Sequence, residues 1–341
     1  MNPDAKLSFL ERFAYGIGDY AGNLVYSAIS AFLLVYYTNV IGASAAAAAS
    51  IIAISKFLDG ISDLAMGYIV DHTHSKWGKA RPWIARLCIP LAVCTVLMFS
   101  VPSAFAGKAQ IAYMFLTYNL VSTIFYTGIN VPYATMQGLM TMNQYERGLL
   151  GNFRNLLATA GTMTINTVVL KMTGFFGGGD AYTQKGWTMT FVVFGFLEIV
   201  TFMITFLFTR ERVNTTEDEN RLKIPVSLGF KALVKNKYWF MATLNLILIF
   251  IAQGINGSAE VYYTKIVLGN SSLVGTFSVA LQATQIICMF FIAGFVKKFG
   301  KRNIAFVGGF VALGGQILFF LNPYSFGFMV MSCVTRAIGL A

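Results

Sequence analysis

The stretch "SKFLDGISDLAMGYIVDHTHSKWGKARPW", Ser55 to Trp83, decides the fold. Its first part is an apolar run interrupted by Lys56, Asp59 and Asp63, and its second part is a short polar loop dense in basic residues. Residues 56, 59, 63 and 67 recur at steps of three and four, so on a helix they share one face. A charge at the centre of a bilayer costs about 2.5–3.5 kcal/mol on insertion scales, so this face must look into a bundle and toward a partner. Lys56 can pair with Asp59, and an ion pair that only locks helices together is one reading. A single lysine does not neutralise two acids, however. The surplus carboxylate suits a hard cation such as Na⁺, or a carried proton.

The rest of the chain fits a membrane setting. Of its 341 residues 56% are hydrophobic and 11% charged, against about 25% charged in a soluble domain. Apolar stretches occupy residues 13–41, 44–70, 84–103, 109–140, 153–175, 187–209, 237–266, 272–296 and 303–322, and a last one starts near 325. Each complete stretch reaches the ~20 residues that cross a bilayer as a helix. No short apolar run with a small-residue cleavage site opens the chain, so the first stretch is expected to be a true span.

The net charge of +11 invites a nucleic-acid reading, but its distribution argues otherwise. Connections 71–86, 142–154, 210–237 and 297–302 hold 17 of the 25 Lys and Arg, whereas the opposite connections hold Lys108, Lys171, Lys185 and Lys265. The positive-inside rule makes the first set, and the N-terminus, cytoplasmic. A multi-pass protein of the inner cell membrane is expected, surrounded by lipid, monomeric and without nucleic acid. Cys88, Cys94, Cys288 and Cys333 lack CxxC spacing and read as small buried hydrophobes. "GGGD" at 177–180 lacks the Lys and Ser/Thr of a phosphate-binding loop. No nucleophile–base pair or metal-ligand cluster is legible, so neither an enzyme nor a cofactor is expected.

The long polar connection from Thr209 to Lys237 divides the spans. It predicts a six-helix half over 1–209, a cytoplasmic linker over 210–236 and a partial half of about three and a half helices over 237–341. An internal repeat supports the division. "GYIVDHTHSKWGKAR" (67–81) comes after the second span and "GFVKKFGKR" (294–302) after the eighth, each with a Gly four residues before a charge and then a Gly before a basic cluster. The fold class is therefore all-α: a polytopic membrane protein with two related six-helix halves, the second incomplete. That is the pattern of the major facilitator transporters, whose substrate sites lie between the halves near the midplane.

Other spans carry polar residues that need partners. Asp19, Asn23 and Tyr26 share a face of the first helix, which suits sugar hydroxyls or an interhelical clamp. The fourth span gathers Tyr126, Thr127, Asn130, Pro132 and Tyr133. Arg154 either snorkels to the interface or points inward as a bidentate donor. Glu260, among polar and small neighbours in "QGINGSAEVYYTK", suits lining the cavity from the second half, whereas Glu198 and Arg336 are further intramembrane charges to which the sequence assigns no role.

"YGIGDYAGN" in the first helix, "KFLDGISDLAMGYIVDHTHSKWGKARPW" in the second and "NVPYATM" in the fourth resemble the glycoside–pentoside–hexuronide:cation symporters, and the likeness runs to Ala341. The resemblance implies a twelve-helix major facilitator fold and sugar uptake coupled to Na⁺ or H⁺. It places Asp59, Ser62, Asp63 and Thr127 at the cation, with Asp59 and Asp63 as ligands if the ion is Na⁺. It places Asn23, Tyr126, Asn130 and Arg154 at the sugar. Asn23 and Asn130 stand where carboxylates hold galactosyl hydroxyls in one member of the family, and Ala134 replaces an aromatic that stacks on the sugar there. With Arg154 kept and two negative charges gone, an acidic saccharide such as a hexuronide becomes more acceptable. A family Lys on the eleventh helix would fall beyond Ala341, so a truncated, non-transporting protein (relic, sensor or assembly partner) is the alternative expectation.

Overall fold

The computed structural model describes residues 6–213, 234–269 and 273–340. It divides into two units, 1–213 and 214–341. Most of the expected linker, residues 214–233, lies outside the described residues, as does the side chain of Glu260.

In the first unit α1 (Phe9–Ala28) runs on through two π-helical turns, Ile29–Leu33 and Tyr36–Val40. Then come α2 (Ala45–Asp71), α3 (Arg81–Met98) and α4 (Lys108–Asn119). A π-helical stretch, Leu120–Tyr126, joins α4 to α5 (Thr127–Met140) without a break. The unit closes with α6 (Gln144–Phe176) and α7 (Gln184–Phe208). The second unit holds α8 (Lys237–Ile266), α9 (Leu273–Phe299), α10 (Lys301–Leu321) and α11 (Phe326–Leu340). Among the described residues, five helices contain a segment long and apolar enough to cross a membrane by length and composition: α2, α3, α7, α9 and α10.

Helix starts are set by local chemistry. Ser8 and Glu11 form a reciprocal capping box at α1, and Ser44, Asn143, Thr183 and Asn236 cap α2, α6, α7 and α8 with side-chain oxygens. Close approach then needs small residues. A Cβ on Gly16 would stand 2.6 Å from the Phe153 carbonyl oxygen, and one on Gly161 2.7 Å from that of Tyr20, so α1 and α6 touch backbone to backbone. Between α1 and α5, Tyr15 and Tyr133 stack at 4.7 Å, and Tyr133 and Tyr15 donate to each other's backbone carbonyls (2.7 and 3.4 Å). The far end is sealed by Tyr36, Phe99, Trp187 and Phe191, all essentially buried.

At the basic end charged groups tie the helices together. Arg12 grips buried Glu146 in a two-pronged bond, 2.9 Å at the shortest, joining α1 to α6. After α7 the chain turns back, and the Glu211 carboxylate accepts from the backbone N–H groups of Lys79, Ala80 and Arg81 (2.8–3.0 Å) at the start of α3. Gly78, at φ +107°, is required there, because a Cβ would lie 2.3 Å from that carboxylate. Arg212 pairs with Glu11.

Candidate functional site

The face read from the second helix is present. Lys56 Nζ lies 3.4 Å from Asp59 Oδ2, one turn apart on α2, and 5.6 Å from the centre of the Tyr26 ring. Asp59 is further held from the opposite wall, where Ser122 and Thr123 donate to its two oxygens at 2.9 and 2.6 Å. Asp63, one turn on, accepts from Thr127 (3.0 Å) and has no basic partner among the described residues. The surplus carboxylate is therefore Asp63.

The π-helical stretch makes this wall. A π turn inserts an extra residue into the ladder and rotates the helix beyond it. Over Leu120–Tyr126 it brings Ser122 and Thr123 onto Asp59, while Thr127, the first residue after it, reaches Asp63. Asn119, just before it, anchors the wall by donating to Ser55 (2.9 Å). The sequence reading of this span starts at Tyr126 and misses Ser122 and Thr123. A signal was present, since Asn119, Ser122 and Thr123 repeat at the helical spacing of three and four. Ser62 donates mainly inward, to the Asp59 carbonyl oxygen at 2.8 Å, and only distantly to Thr127 at 3.4 Å.

Lys56, Asp59, Asp63, Ser122, Tyr126, Thr127 and Asn130, with Tyr26, Ile29 and Gly60, line one cavity of about 360 Å³. Five expected site residues are thus brought together: Asp59, Asp63, Tyr126, Thr127 and Asn130. Tyr126 and Asn130 also line a small adjoining cleft of about 10 Å³ with Gly18, Asp19, Gly22 and Tyr133. The two residues form a partition between the acidic cluster and Asp19.

Asp19 is nearly buried and takes Arg154 as its partner, at 3.1 Å from Nε to Oδ2. The guanidinium also lies over the Tyr133 ring, 5.3 Å from its centre. Arg154 points inward, as its bidentate reading required, but its charge is already compensated. That overturns the premise on which an acidic saccharide was expected at Arg154: the first unit offers no spare positive charge there. Asn23 is placed differently from the expectation as well. Its amide nitrogen donates to the Asp19 carbonyl oxygen (2.8 Å) and its oxygen accepts from Thr162 (3.4 Å), so it faces the α1–α6 seam. Glu198 is buried on α7, and one of its carboxyl oxygens has no partner among the described residues. No group of three or more metal-ligating side chains occurs among the described residues. The oxygens near Asp59 and Asp63 are instead two carboxylates and several hydroxyls, a hard set suited to an alkali cation or a proton.

The family described as MFS/sugar transport protein matches residues 14–341. An isoprimeverose transporter of Lactiplantibacillus pentosus is 31% identical over 308 residues, 90% of this chain and 63% of that protein. The glucuronide carrier protein homolog of Escherichia coli is 26% identical and aligns over 98% of this chain and 72% of its own. The chain thus spans less than two thirds of the first of these relatives. Among solved structures, the major facilitator proton:xylose symporter XylE bound to a bromodeoxyglucose superposes with a TM-score of 0.64 at 13% identity, covering 97% of this chain and 78% of its own. At that identity the likeness concerns the fold, which is that of the major facilitator transporters. With transporters rather than enzymes on every side, the chain belongs to the MFS/sugar transport protein family, the glycoside–pentoside–hexuronide:cation symporter group of the major facilitator superfamily.

Proposed function

We propose that the protein is a secondary active transporter that couples uptake of a sugar to entry of Na⁺ or H⁺ by alternating access. The observation that carries this reading is the charge imbalance in the larger cavity: Lys56 offsets Asp59, and Asp63 faces the same space with only a hydroxyl partner among the described residues. In that role Asp59 and Asp63 bind the ion, with Thr127 and Ser62 near it and with Ser122 and Thr123 holding Asp59 in place. Tyr126 and Asn130, shared by the cavity and the cleft, contact the sugar from one side and the ion cluster from the other. Arg154 and Asn23 act behind this partition, Arg154 as a donor held by Asp19 and Asn23 by fixing the helix that carries it.

Coupling arises from the shared wall. A cation drawn to Asp63 neutralises the cavity and fixes Thr127, which adjoins Tyr126. By linkage the bound sugar raises ion affinity by the same factor as the ion raises sugar affinity. The unit that carries these residues favours a neutral glycoside or pentoside there, since both Lys56 and Arg154 are paired. The basic loops put the N-terminus in the cytoplasm, in an inner cell membrane, and the transporter works as a monomer.

The test is uptake of a sugar panel by the full-length protein in proteoliposomes, with Na⁺ and pH gradients imposed separately. Concentrative uptake of at least one neutral sugar, driven by one gradient and collapsed by the matching ionophore, is the expected result. Equilibration without accumulation under either gradient would remove the symport reading and leave facilitated flux, and no protein-dependent sugar entry at all would favour a non-transporting role.

A further inference from the structure

The outer side of the first unit carries a charge that no acid among the described residues answers. On α3 the buried residues Ile84, Cys88, Leu91, Thr95 and Met98 recur at steps of three and four and so share one face. The exposed residues of the helix, Arg86, Ile89, Val93 and Leu97, follow the same steps on the opposite face. Arg86 is the polar member of that row. The neighbouring helix α7 packs against α3 at Gly195, where a Cβ would lie 3.4 Å from the Ala92 carbonyl oxygen. Between Met189 and Phe208 the exposed side chains of α7 are all apolar, Phe196 and Leu207 being the most open. Two adjoining helices thus present an apolar outer surface of the kind that meets acyl chains.

Arg86 stands five residues past the start of α3, about 7.5 Å along the helix at 1.5 Å per residue. The carboxylates at this end are engaged elsewhere: Glu211 with the backbone N–H groups of residues 79–81, Glu146 with Arg12 and Glu11 with Arg212. Asp71, exposed at the end of α2, is outnumbered by exposed Lys76 and Arg210. Arg81 makes the contrast with Arg86. Its guanidinium donates to the backbone carbonyls of Trp77 and Phe206 and lies over the Phe206 ring, 4.9 Å from its centre. Arg81 therefore ties α3 to α7, whereas Arg86 faces outward. One turn before Arg86, Trp83 donates its indole N–H to Thr73 at 3.0 Å, and half-exposed Trp77 sets its ring edge-on to Phe206 at 5.5 Å. Tryptophans gather at the headgroup level of a bilayer, so Arg86 lies just inside that level. An uncompensated charge there is unfavourable among acyl chains, and the long stem lets the guanidinium rise to the phosphates.

We propose that Arg86, with Trp83 beside it and with Lys76 and Arg210 adding charge at the same end, holds the headgroup of an anionic phospholipid against the outer face of α3. The guanidinium fork takes two phosphate oxygens, as its planar donors do in other phosphate contacts. The row of Ile89, Val93 and Leu97 takes an acyl chain of the same lipid. The excess of basic groups favours a headgroup with net negative charge over a zwitterionic one. The site lies on the lipid side of the first unit and involves neither the sugar nor the coupling ion.

The test is native mass spectrometry of the full-length protein in detergent micelles supplied with phosphatidylglycerol and phosphatidylcholine together. The native protein should retain phosphatidylglycerol in preference. Arg86→Gln is expected to lower that preference about fivefold, the factor for one basic group at an anionic surface. Arg86→Lys keeps the charge but loses the fork, and should fall between native and Gln. Lys171→Gln, at the opposite end of the unit, is the control that should leave the preference unchanged. If Arg86→Gln does not fold, judged by gel filtration, Arg86→Met, apolar and of similar length, decides in its place. No preference in the native protein, an undiminished preference in Arg86→Gln, or an equal loss in Lys171→Gln would overturn the site. Displacement of the phosphatidylglycerol by soluble glycerol phosphate would also overturn it, since the site would then take a free phosphate rather than a lipid. All these outcomes leave the transport reading untouched, because that reading is tested by concentrative uptake.

Discussion

Two neighbouring parts of the first unit use the same residue types to opposite ends. At the α1–α6 seam one acid meets one base, Asp19 with Arg154, and the pair is capped by the Tyr133 ring. At the α2–α5 wall two acids meet one base, and the odd carboxylate, Asp63, is left open to the larger cavity. The first arrangement is closed and neutral, which suits holding a backbone in place or donating to an uncharged hydroxyl. The second is open and one negative charge in excess, which suits a mobile cation. Charge balance, more than the presence of charge, separates a structural pair from an ion site.

Removing an acid from each region should break this contrast in the most visible way. Asp19→Ala strands Arg154 in a largely dry seam and is expected to cost about 3 kcal/mol, at the lower end for breaking a buried pair because the arginine keeps some exposure. Asp63→Ala removes no ion pair and one hydroxyl bond at an exposed position, and is expected to cost about 1 kcal/mol or less. Thermal unfolding of the purified variants in detergent measures both, and equal losses would mean that the two regions are not different in kind.

The hydroxyl wall offers a smaller lever. Thr123→Val keeps the shape but removes a charge-assisted bond of 2.6 Å to Asp59. Such bonds contribute about 1.5–3 kcal/mol, so the apparent affinity for the coupling ion should shift about tenfold or more. Thr159→Val, whose hydroxyl bonds the carbonyl of Asn155 one turn back on its own helix, is the control that should leave it unchanged. An ion titration of sugar binding in both variants gives the answer.

Asn130 and Asn23 sharpen the contrast at the level of single amides. Asn130 lines both cavities, so Asn130→Ala is expected to weaken sugar binding about five- to tenfold, as for the loss of one net hydrogen bond of about 1 kcal/mol. Asn23 is already bonded to Asp19 and Thr162, so Asn23→Ala should lower the unfolding temperature more than it changes sugar affinity. The reverse pattern would return Asn23 to the sugar pocket.

The smallest effect concerns the cytoplasmic end. Burial alone would raise the Glu11 carboxyl, but Arg212 and the Ser8 donors outweigh it and hold the group below its ordinary value of 4.5. A depressed carboxyl stabilises the fold at pH above its unfolded value and loses that contribution as pH falls through the folded one. The contribution should be within about 1 kcal/mol, reduced in Arg212→Gln to what the Ser8 donors supply, and visible only below about pH 4.5. A variant that keeps the native acid-side slope would show that the pair does not set it.

Much of this was legible in the chain of residues alone. Most of the apolar stretches match helices within a few residues, because span length and helix caps are local properties. The exception is α6, which begins at Gln144 rather than near 153, since its first turns are polar and sit at the membrane edge. The Lys56–Asp59 pair was given away by a spacing of three residues, and the surplus acid by counting. What stayed hidden was which way each helix turns toward its neighbours. The π-helical stretch Leu120–Tyr126 changes the register of the fourth span, so Ser122 and Thr123 arrive on Asp59 although nothing in their local pattern names that partner. Asp19 finding Arg154 is a contact over 135 residues of sequence, and it reversed the expectation of a free positive charge. Asn23 was assigned by analogy of position and is turned by the close α1–α6 crossing at Gly161.

The assignment of the coupling ion to Asp63 is tested most directly by Asp63→Asn. Full-length native and variant proteins in proteoliposomes would be assayed for concentrative uptake and for sugar exchange at equal ion concentrations on both sides. The variant should lose accumulation under an ion gradient while exchange stays within about threefold of native, as expected when ion binding but not the sugar contact is lost. Accumulation at the native level in Asp63→Asn would contradict the assignment.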